Sequence, residues 1–448
     1  MKKVYKAHIL FTKEKDSFEV YENGYIVVED GIVLGVASSL DELATTISAK
    51  KHSSFNVQCS TFNVEDVIDF GDKLLIPAMN DMHVHAPQVH NQGVAMDLEL
   101  LPWLQNYTFP EESKYADTHY AERMYRRFLH TQWLFGTMRS VVFGTVHTDS
   151  TRVLMKLYQE AGMGAMVGKV AMNRHCPDAL SEDVKAAVEG MEQLIAEFSH
   201  PSPLTSHLSP LVRPIITPRF VPSCTPELLK ACGELANKYQ LPVQSHLSEN
   251  TSEIAWVAEL EKESTSYGDA YNRYGLFGQT PTIMAHCVWT NGSELELMKR
   301  NRVMVAHCPT SNFNLSSGLA PVRTFLDEGL PIGLGSDISG GHDLNMFRML
   351  VYAIQVSKMH YQLDKSKAFL TLPEIFWIAT KSAGSFFGKV GSFEPGYEFD
   401  ALVIDDEVLH PDEYSLLHRL ERFIYLGDDR QIAHRFCRGQ EIKEPEMI

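Results

Sequence analysis

Apolar and polar residues alternate along the first 70 positions in the manner of short β-strands. The alternation is clearest between Phe18 and Gly31, where every second side chain would lie on the same face of a strand. Two triplets in this stretch, Glu22-Asn23-Gly24 and Glu29-Asp30-Gly31, have the composition of hairpin turns. Since a short helix is also predicted from Leu40 to Ala49, we expect the beginning of the chain to form a small β-rich unit.

From Lys73 onwards, strand-like and helix-like patterns follow one another. Eight apolar runs of strand length lead into polar or glycine-rich loops, and they begin at Leu74, Thr137, Gly164, Val212, Leu241, Thr282, Arg302 and Pro331. Helical patterns lie between them, over Tyr120–Phe135, Ser150–Ala161, Glu182–Phe198, Pro226–Tyr239 and Ser252–Lys262. Eight such units over about 300 residues predict an α/β protein with a (β/α)8 barrel of the TIM type.

The end of the chain returns to strand-like patterns after a predicted helix over Leu372–Phe387. These patterns include the stretch from Gly391 to Ile404 and a second one that begins at Ile432. Because the two β-rich ends are both short, each needs a partner to bury its apolar face. We therefore predict that residues 1–76 and 388–448 form one small β-sandwich domain, and that residues 77–387 form the barrel.

Two histidines, His83 and His85, stand at the end of the first predicted barrel strand. Residues two apart on a strand point to the same side, so both imidazoles would face one point. Neutral imidazole is the commonest metal ligand in proteins. In a chain with 19 histidines such a pair arises by chance about once. The pair therefore needs partners before it indicates a metal site.

Suitable partners follow three other predicted strands. His246 and Glu249 follow the fifth strand, His286 follows the sixth, and Asp337 follows the eighth. Active sites of such barrels lie at the carboxyl ends of the strands, so we expect these side chains to converge with the histidine pair.

These residue types favour hydrolysis at an unsaturated carbon. Three histidines and one carboxylate around zinc leave a position for water, whose pKa then falls towards neutrality. Asp337 could accept the proton of that water, and Glu249 could carry it to the substrate and the leaving group. His286 could orient the attacking water or stabilise developing charge.

Two other basic residues, one at a strand end and one inside a strand, are interpreted as structural and not as metal ligands. His307 precedes a Cys308-Pro309-Thr310-Ser311-Asn312 loop that indicates a wall of the site, and Lys169 lies inside the third predicted strand. A binuclear hydrolase would need a bridging lysine at the end of strand four, which here ends in Pro218-Arg219-Phe220. The sequence therefore favours a single metal ion.

Composition narrows the class of protein. The chain has 448 residues, 44% of them hydrophobic, and a formal net charge of −17, which argues against a nucleic-acid surface. With neither a signal-peptide core nor a long apolar run, it is predicted to be cytoplasmic and without a membrane partner. The cysteines are odd in number, scattered and predicted to be reduced; they are Cys59, Cys176, Cys224, Cys232, Cys287, Cys308 and Cys437.

Taken together, these motifs resemble the amidohydrolase superfamily in its mononuclear-zinc aminohydrolase branch, along nearly the whole chain. The stretches that carry the resemblance are 81–88, 101–110, 145–150, 168–170, 217–220, 244–249, 284–286, 307–312, 335–341 and 425–430. The resemblance implies one zinc ion per chain, with Fe²⁺ as the alternative. It assigns the metal to His83, His85, His246 and Asp337, and it makes Glu249 the proton shuttle.

The resemblance also implies a substrate, which is a free purine base. Gln88, Arg219 and Phe220 match purine-binding positions, and we expect His85 and His246 to contact the substrate as well. Gln88 offers a donor and an acceptor, Arg219 donates, and Phe220 supplies a stacking face. The implied reaction is the hydrolytic deamination of guanine to xanthine and ammonia, in a homodimer.

The sequence departs from the family pattern at three places, and the last two of them bear on substrate preference. Met82 replaces a small polar residue, Met138-Arg139 replaces a threonine-rich start of strand two, and Asn173 stands where aspartate is frequent. One alternative is a related aminohydrolase that acts on another heterocycle, such as 8-oxoguanine or an adenosine-like nucleoside. A non-catalytic scaffold on the same barrel is a further alternative.

Overall fold

A computed structural model describes residues 2–49, 67–199, 209–290, 292–410 and 414–447. The strands of this part are β1 Lys2–Phe11, β2 Glu19–Glu29, β3 Ile32–Ala37, β4 Val67–Pro77, β5 Met79–His85, β6 Thr137–Phe143, β7 Gly164–Gly168, β8 Val170–Ala171, β9 Val212–Pro214, β10 Thr217–Pro218, β11 Val243–Leu247, β12 Thr282–His286, β13 Met304–His307, β14 Ile332–Leu334, β15 Ala401–Ile404, β16 Ile432–Cys437 and β17 Gln440–Glu441.

The α-helices of the same part are α1 Leu40–Ala49, α2 Leu100–Trp103, α3 Phe109–Ser113, α4 Thr118–Leu134, α5 Thr148–Ala161, α6 Val184–Phe198, α7 Pro226–Tyr239, α8 Thr251–Leu260, α9 Tyr267–Arg273, α10 Gly292–Asn301, α11 Pro309–Asn314, α12 Val322–Asp327, α13 Met346–Leu363, α14 Leu372–Trp377 and α15 Leu416–Leu426. None of the described helices is both long and apolar enough to cross a membrane.

The chain divides into two compact units. The first comprises Met1–Asn80, Gln132–Met138 and Thr371–Glu444. The second comprises Asp81–Thr131, Arg139–Leu370 and Pro445–Ile448.

The first unit contains a seven-stranded sheet in the order β17-β16-β15-β4-β1-β2-β3. Strand β15, from the end of the chain, pairs antiparallel with β4, from its beginning. Aromatic side chains from both ends pack together, with Tyr5 stacked on Phe399 at a ring-centroid distance of 5.2 Å and tilted against Phe436 at 5.5 Å. The two chain ends therefore share a sheet and an apolar core, in agreement with the sequence-based expectation that they pair.

One of the two predicted hairpin turns is wrong. Strand β2 continues through Glu22-Asn23-Gly24 without turning, because the chain there bulges out of its ladder with β1. Asn23 has a positive φ of 48°, and its amide donates to Nδ1 of His8 at 3.1 Å. The other triplet does turn the chain, with positive φ at both Asp30 and Gly31, as a two-residue hairpin requires.

The first predicted barrel strand, which was expected to begin at Leu74, is divided at Pro77. Residues up to Pro77 belong to β4 in the terminal sheet, where Leu75 pairs with Val403. A new strand, β5, begins at Met79. Proline lacks an amide hydrogen and cannot donate to a ladder, so it is a natural point for a strand to change partners.

The second unit is built from parallel strands. One sheet has the order β5-β6-β7-β9 and another has the order β11-β12-β13-β14. Backbone hydrogen bonds extend beyond both sheets, from the amide of Gln244 to the carbonyl of Ile216 at 3.0 Å and from the amide of Asp337 to the carbonyl of His83 at 2.8 Å. Helices alternate with these strands, which is the α/β arrangement that the sequence predicts.

Most predicted helices agree with the structure within two residues, and Pro226–Tyr239 agrees at both ends. Capping explains this agreement. Thr225 caps the first turn of α7, with Pro226 at its first position. The helix predicted over Leu372–Phe387 is α-helical only to Trp377 and then continues as a π-helical turn.

Cys59 lies outside the described residues. The six cysteines that the structure describes are free thiols, in agreement with the prediction of reduced cysteines.

Candidate active site

Strand β5 carries His83 and His85 into the interior of the second unit. All seven residues of β5 are buried, and the two imidazoles lie 5.0 Å apart between ring centroids. The ring of Phe143, at the end of β6, packs on both of them at 4.9 and 4.5 Å. Asp81, two residues before His83, accepts a hydrogen bond from the amide of Ser336 at 3.0 Å. This bond ties β5 to the segment that follows β14.

The other predicted site residues lie at the same ends of their strands. His246 lies near the end of β11, and His286 is the last residue of β12, opposite Leu247 in the parallel register. Asp337 follows β14 by three residues. Parallel strands end at one edge of a sheet, which is why residues far apart in sequence meet here.

Three histidine nitrogens and one carboxylate converge. Nε2 of His83 lies 3.2 Å from Oδ1 of Asp337, and Nε2 of His85 lies 3.5 Å from the same oxygen. Nε2 of His85 is 3.1 Å from Nε2 of His246. We call these four residues the histidine–aspartate cluster.

Protonation in the cluster follows from its hydrogen bonds and its burial. Nδ1 of His246 lies 2.6 Å from the carbonyl oxygen of Arg219, which can only accept, so His246 carries its hydrogen on Nδ1 and a lone pair on Nε2. Burial lowers the pKa of His83, and it lowers the pKa values of His85 and His246 well below the usual range. Burial alone would raise the pKa of Asp337, but the adjacent histidines hold that pKa well below its usual value.

The cluster fits a metal ion with nitrogen and oxygen ligands. Nε2 of His83 is buried without a hydrogen-bond partner among the described residues, which is costly for a polar atom unless a ligand satisfies it. Ligands about 2.1 Å from a tetrahedral centre are about 3.4 Å apart, close to the separations seen here. Neutral imidazoles and an ionised carboxylate are the protonation states that divalent metals require.

Cys308 also lies near this point, because its Sγ is within 4.8 Å of ligand atoms of His286 and Asp337. Burial raises the pKa of the Cys308 thiol well above its usual value. The thiol also donates to the carbonyl oxygen of Ala306 at 3.5 Å, so Cys308 is satisfied without a metal ion.

Glu249 stands beside the cluster in a position suited to proton transfer. Its Oε1 accepts a hydrogen bond from the hydroxyl of Ser317 at 3.0 Å, and its Oε2 is 3.5 Å from Nε2 of His286. Burial raises the pKa of Glu249, and the charge of Asp337 adds to the rise. Nδ1 of His286 lies 2.9 Å from Oδ1 of Asn312, which fixes the plane of the ring.

A cavity of about 410 Å³, part of it open to solvent, lies against these residues. It is lined by His85, Gln88, Leu100, Trp103, Leu104, Arg219, Phe220, His246, Glu249, Glu253, His286, Leu315 and Asp337. The predicted substrate contacts therefore line the same cavity as Glu249 and three members of the cluster.

Two polar side chains that line the cavity, those of Gln88 and Arg219, are joined by a buried carboxylate that the sequence did not single out. Glu112, on the short helix α3, accepts hydrogen bonds from Nε2 of Gln88 at 2.9 Å and from Nη1 of Arg219 at 2.5 Å. Oε1 of Gln88 accepts from the amide of Ser339 at 3.0 Å. We call Gln88, Glu112, Arg219 and Ser339 the Glu112 network. That oxygen therefore already accepts one hydrogen bond within the protein, and only its second lone pair remains for a substrate.

Other residues named from the sequence lie elsewhere. Lys169 falls between β7 and β8, not inside a strand, and its ammonium group pairs with Glu182. His307 is buried at the end of β13 and does not line the cavity. Met82 is buried in β5, and Asn173 bonds to Thr225 at the start of α7.

Comparison with known proteins points to one family. Residues 74–442 match the Amidohydrolase family. Guanine deaminase of Dictyostelium discoideum is 35% identical over 453 residues, covering 98% of each chain. Guanine deaminase of Escherichia coli (strain K12) is 30% identical, covering 99% of this chain and 98% of its own. The crystal structure of guanine deaminase from C. acetobutylicum with guanine bound in its active site is 48% identical. It superimposes with a TM-score of 0.91, covering 99% of this chain and 100% of that one.

Proposed function

Because the chain belongs to the amidohydrolase family, and within it to the guanine deaminases, we propose that it catalyses the hydrolytic deamination of guanine to xanthine and ammonia. The observation that carries this proposal is the histidine–aspartate cluster, which adjoins Glu249 in a cavity lined by Gln88, Arg219 and Phe220. The guanine-bound relative, at 48% identity over almost the whole chain, supports the substrate.

We propose that His83, His85, His246 and Asp337 hold one zinc ion per chain. The family typically uses a divalent metal, and Fe²⁺ would accept the same ligands. When bound, such an ion would lower the pKa of a water molecule and make it a nucleophile near neutral pH.

The protein side chains would then manage the protons. Water attacks the ring carbon that bears the amino group, the bond to the amino nitrogen breaks, and the nitrogen leaves as ammonia. Glu249, whose pKa is raised by burial, is placed to take one proton from the water and deliver it to a ring nitrogen. It is then placed to carry the second water proton to the departing amino group. The hydroxyl of Ser317 orients one oxygen of Glu249, and His286 faces the other.

Substrate binding is assigned to the opposite side of the cavity. Gln88 and Arg219 donate to a ring edge, and Phe220 offers an aromatic face beside them. His85 and His246 are also placed to touch the base, because they line the cavity.

Three further features stay predictions. The parallel sheets of the second unit are proposed to close into a (β/α)8 barrel, with the two chain ends forming the separate sandwich domain. The protein is expected to be cytoplasmic and a homodimer. Light scattering at micromolar concentration tests the dimer, and the mass of one chain would contradict it.

Ammonia release from a substrate panel tests the proposed function. The panel comprises guanine, 8-oxoguanine, guanosine, adenine and adenosine, with purified protein of known metal content. We expect guanine to have the highest kcat/KM, by at least about 100-fold over adenine, because a site with buried donors rejects bases that leave them unpaired. Higher activity on 8-oxoguanine or adenosine than on guanine would favour a related aminohydrolase that acts on another heterocycle. If metal-loaded protein releases ammonia from none of the compounds, the non-catalytic scaffold is favoured.

A further inference from the structure

Helix α3 holds Arg219 from two directions. Oε2 of Glu112 accepts from Nη1 of the guanidinium at 2.5 Å, and the ring of Phe109 lies 5.2 Å from the guanidinium carbon. Glu112 is only 2% exposed and Arg219 only 3%. A buried carboxylate paired with a guanidinium in this way is strongly oriented, because neither group finds water as an alternative partner.

The same carboxylate determines which way the amide of Gln88 points. A carboxylate has no hydrogen to donate, so the atom of Gln88 that faces Glu112 must be the nitrogen. The backbone amide of Ser339 can only donate, so the atom of Gln88 that faces it must be the oxygen. Both partners give the same orientation, which removes the usual ambiguity between the two ends of a glutamine side chain.

The hydrogens that remain for a ligand come from Gln88 and Arg219, whereas Oε1 of Gln88 is held against the amide of Ser339. Gln88 retains the second hydrogen on Nε2, since the first is given to Glu112. Arg219 retains guanidinium hydrogens beyond the one bound by Glu112, and a guanidinium never accepts. Gln88 and Arg219 both line the cavity, whereas Glu112 stands behind them.

We propose that Glu112 is a specificity-determining positioning residue. It fixes Gln88 and Arg219 in the orientation that leaves their donors for the ligand, which favours purines with adjacent carbonyl and ring-nitrogen acceptors. Guanine offers such a pair in its C6 oxygen and N7, whereas an amino group at C6 would place a donor against donors. This inference rests on the proposed deamination of guanine, and it adds the residue that sets the choice at C6.

The test compares guanine with 2,6-diaminopurine, which carries the same amino group at C2 and an amino group in place of the C6 oxygen. Chromatography follows the hydrolytic loss of the C2 amino group from each substrate, for the wild type and for Glu112→Gln. The C6 amino group of 2,6-diaminopurine is left out of the measured rate. Because Arg219 only donates, the oxygen of the new amide faces Arg219 and its nitrogen faces Gln88. That nitrogen requires an acceptor from Gln88, in conflict with the orientation that the amide of Ser339 requires. We expect the ratio of kcat/KM values, guanine to 2,6-diaminopurine, to fall at least about tenfold in Glu112→Gln.

Glu111→Gln is the matched control. Glu111 is the neighbouring residue on α3 and is equally buried, but it bonds to Lys114 and Tyr120 and not to the Glu112 network. Its variant should keep the wild-type ratio within about twofold, because its partners do not reach the cavity. A general loss of folded protein lowers the apparent kcat/KM for both substrates equally and leaves their ratio unchanged. The ratio therefore separates an effect on specificity from an effect on stability.

The outcomes are distinct. A Glu112→Gln ratio equal to that of wild type, or an equal fall in Glu111→Gln, overturns the inference. If Glu112→Gln does not fold, Glu112→Asp replaces it. This variant keeps a group that only accepts and should keep the preference for guanine, so loss of the preference there also overturns the inference. A wild-type protein that leaves guanine unchanged contradicts the proposed function itself.

Discussion

The histidine–aspartate cluster and the Glu112 network lie in one unit and adjoin one cavity, yet their hydrogen bonding is opposite. In the cluster, Nε2 of His83 is buried and lies 3.2 Å from Oδ1 of Asp337, but it makes no hydrogen bond among the described residues. In the Glu112 network, both oxygens of Glu112 and both ends of the Gln88 amide are bonded to protein. The cluster is thus incomplete without a ligand, whereas the network is complete before any ligand binds.

This difference indicates two kinds of preorganisation. A metal site must present lone pairs that nothing else uses, and burial keeps its imidazoles neutral for that purpose. A recognition surface must instead hold its donors in one orientation, and it does so by satisfying their other ends. Changes in the cluster should therefore affect chemistry on every substrate, and changes in the network should affect the choice among substrates.

The largest effect is expected for His83→Ala, compared with His307→Ala. Both histidines are buried at strand ends, but only His83 contacts Asp337. His83→Ala should lose the metal and reduce kcat more than about 1000-fold, because the nucleophile is no longer activated. His307→Ala should keep the metal and lose about 2–4 kcal/mol of stability to a cavity. Elemental analysis and activity measurements on both variants test which histidine binds the metal. Metal loss in His307→Ala but not in His83→Ala would contradict the assignment of His83 as a ligand.

A smaller loss is expected for Glu249→Gln, with Glu253→Gln as its control. The amide keeps the size of Glu249 but cannot cycle a proton, so kcat should fall about 100-fold or more with metal retained. Glu253 lines the same cavity, but it serves the backbone amide of Asn250 and the hydroxyl of Tyr267. In its variant the amide oxygen can still accept from the backbone amides of Glu249 and Asn250, and the amide nitrogen can donate to the hydroxyl of Tyr267, so most of the activity should remain. Steady-state kinetics that show wild-type kcat in Glu249→Gln would refute the proton-transfer role.

Arg219→Ala should act on the substrate and leave the metal in place. Loss of the guanidinium removes a donor and leaves Glu112 as an unpaired buried carboxylate. We expect kcat/KM for guanine to fall about 100-fold. Arg174→Ala is the control, because Arg174 bonds to the backbone carbonyls of Val221 and Pro222 and does not line the cavity. Equal losses in the two variants would mean that Arg219 acts only through local structure.

The smallest effect is expected for Ser317→Ala, which removes the hydrogen bond to Oε1 of Glu249. One neutral-to-charged hydrogen bond is worth about 1–2 kcal/mol, so kcat should fall about 5- to 30-fold. Ser311→Ala is the matched control, since the hydroxyl of Ser311 is buried without a partner among the described residues. A wild-type rate in Ser317→Ala would show that Glu249 is oriented by other contacts.

The sequence by itself determined the features that depend on local spacing and on residue chemistry. Strand and helix periods predicted the alternating elements, and the histidines with Asp337 at strand ends predicted the group that the structure brings together. Capping residues such as Thr225 set helix ends within a few positions. These signals are readable because a period or a ligand type is complete within one short segment.

Only the tertiary structure decided which polar groups are satisfied and how they are oriented. Glu112 is 24 residues from Gln88 and 107 residues from Arg219, and one glutamate among 57 acidic residues carries no mark of such partners. The hydrogen position on His246 depends likewise on the carbonyl of Arg219, 27 residues away. A hydrogen bond between distant segments exists only once the backbone brings them within about 3 Å, so no local pattern encodes it.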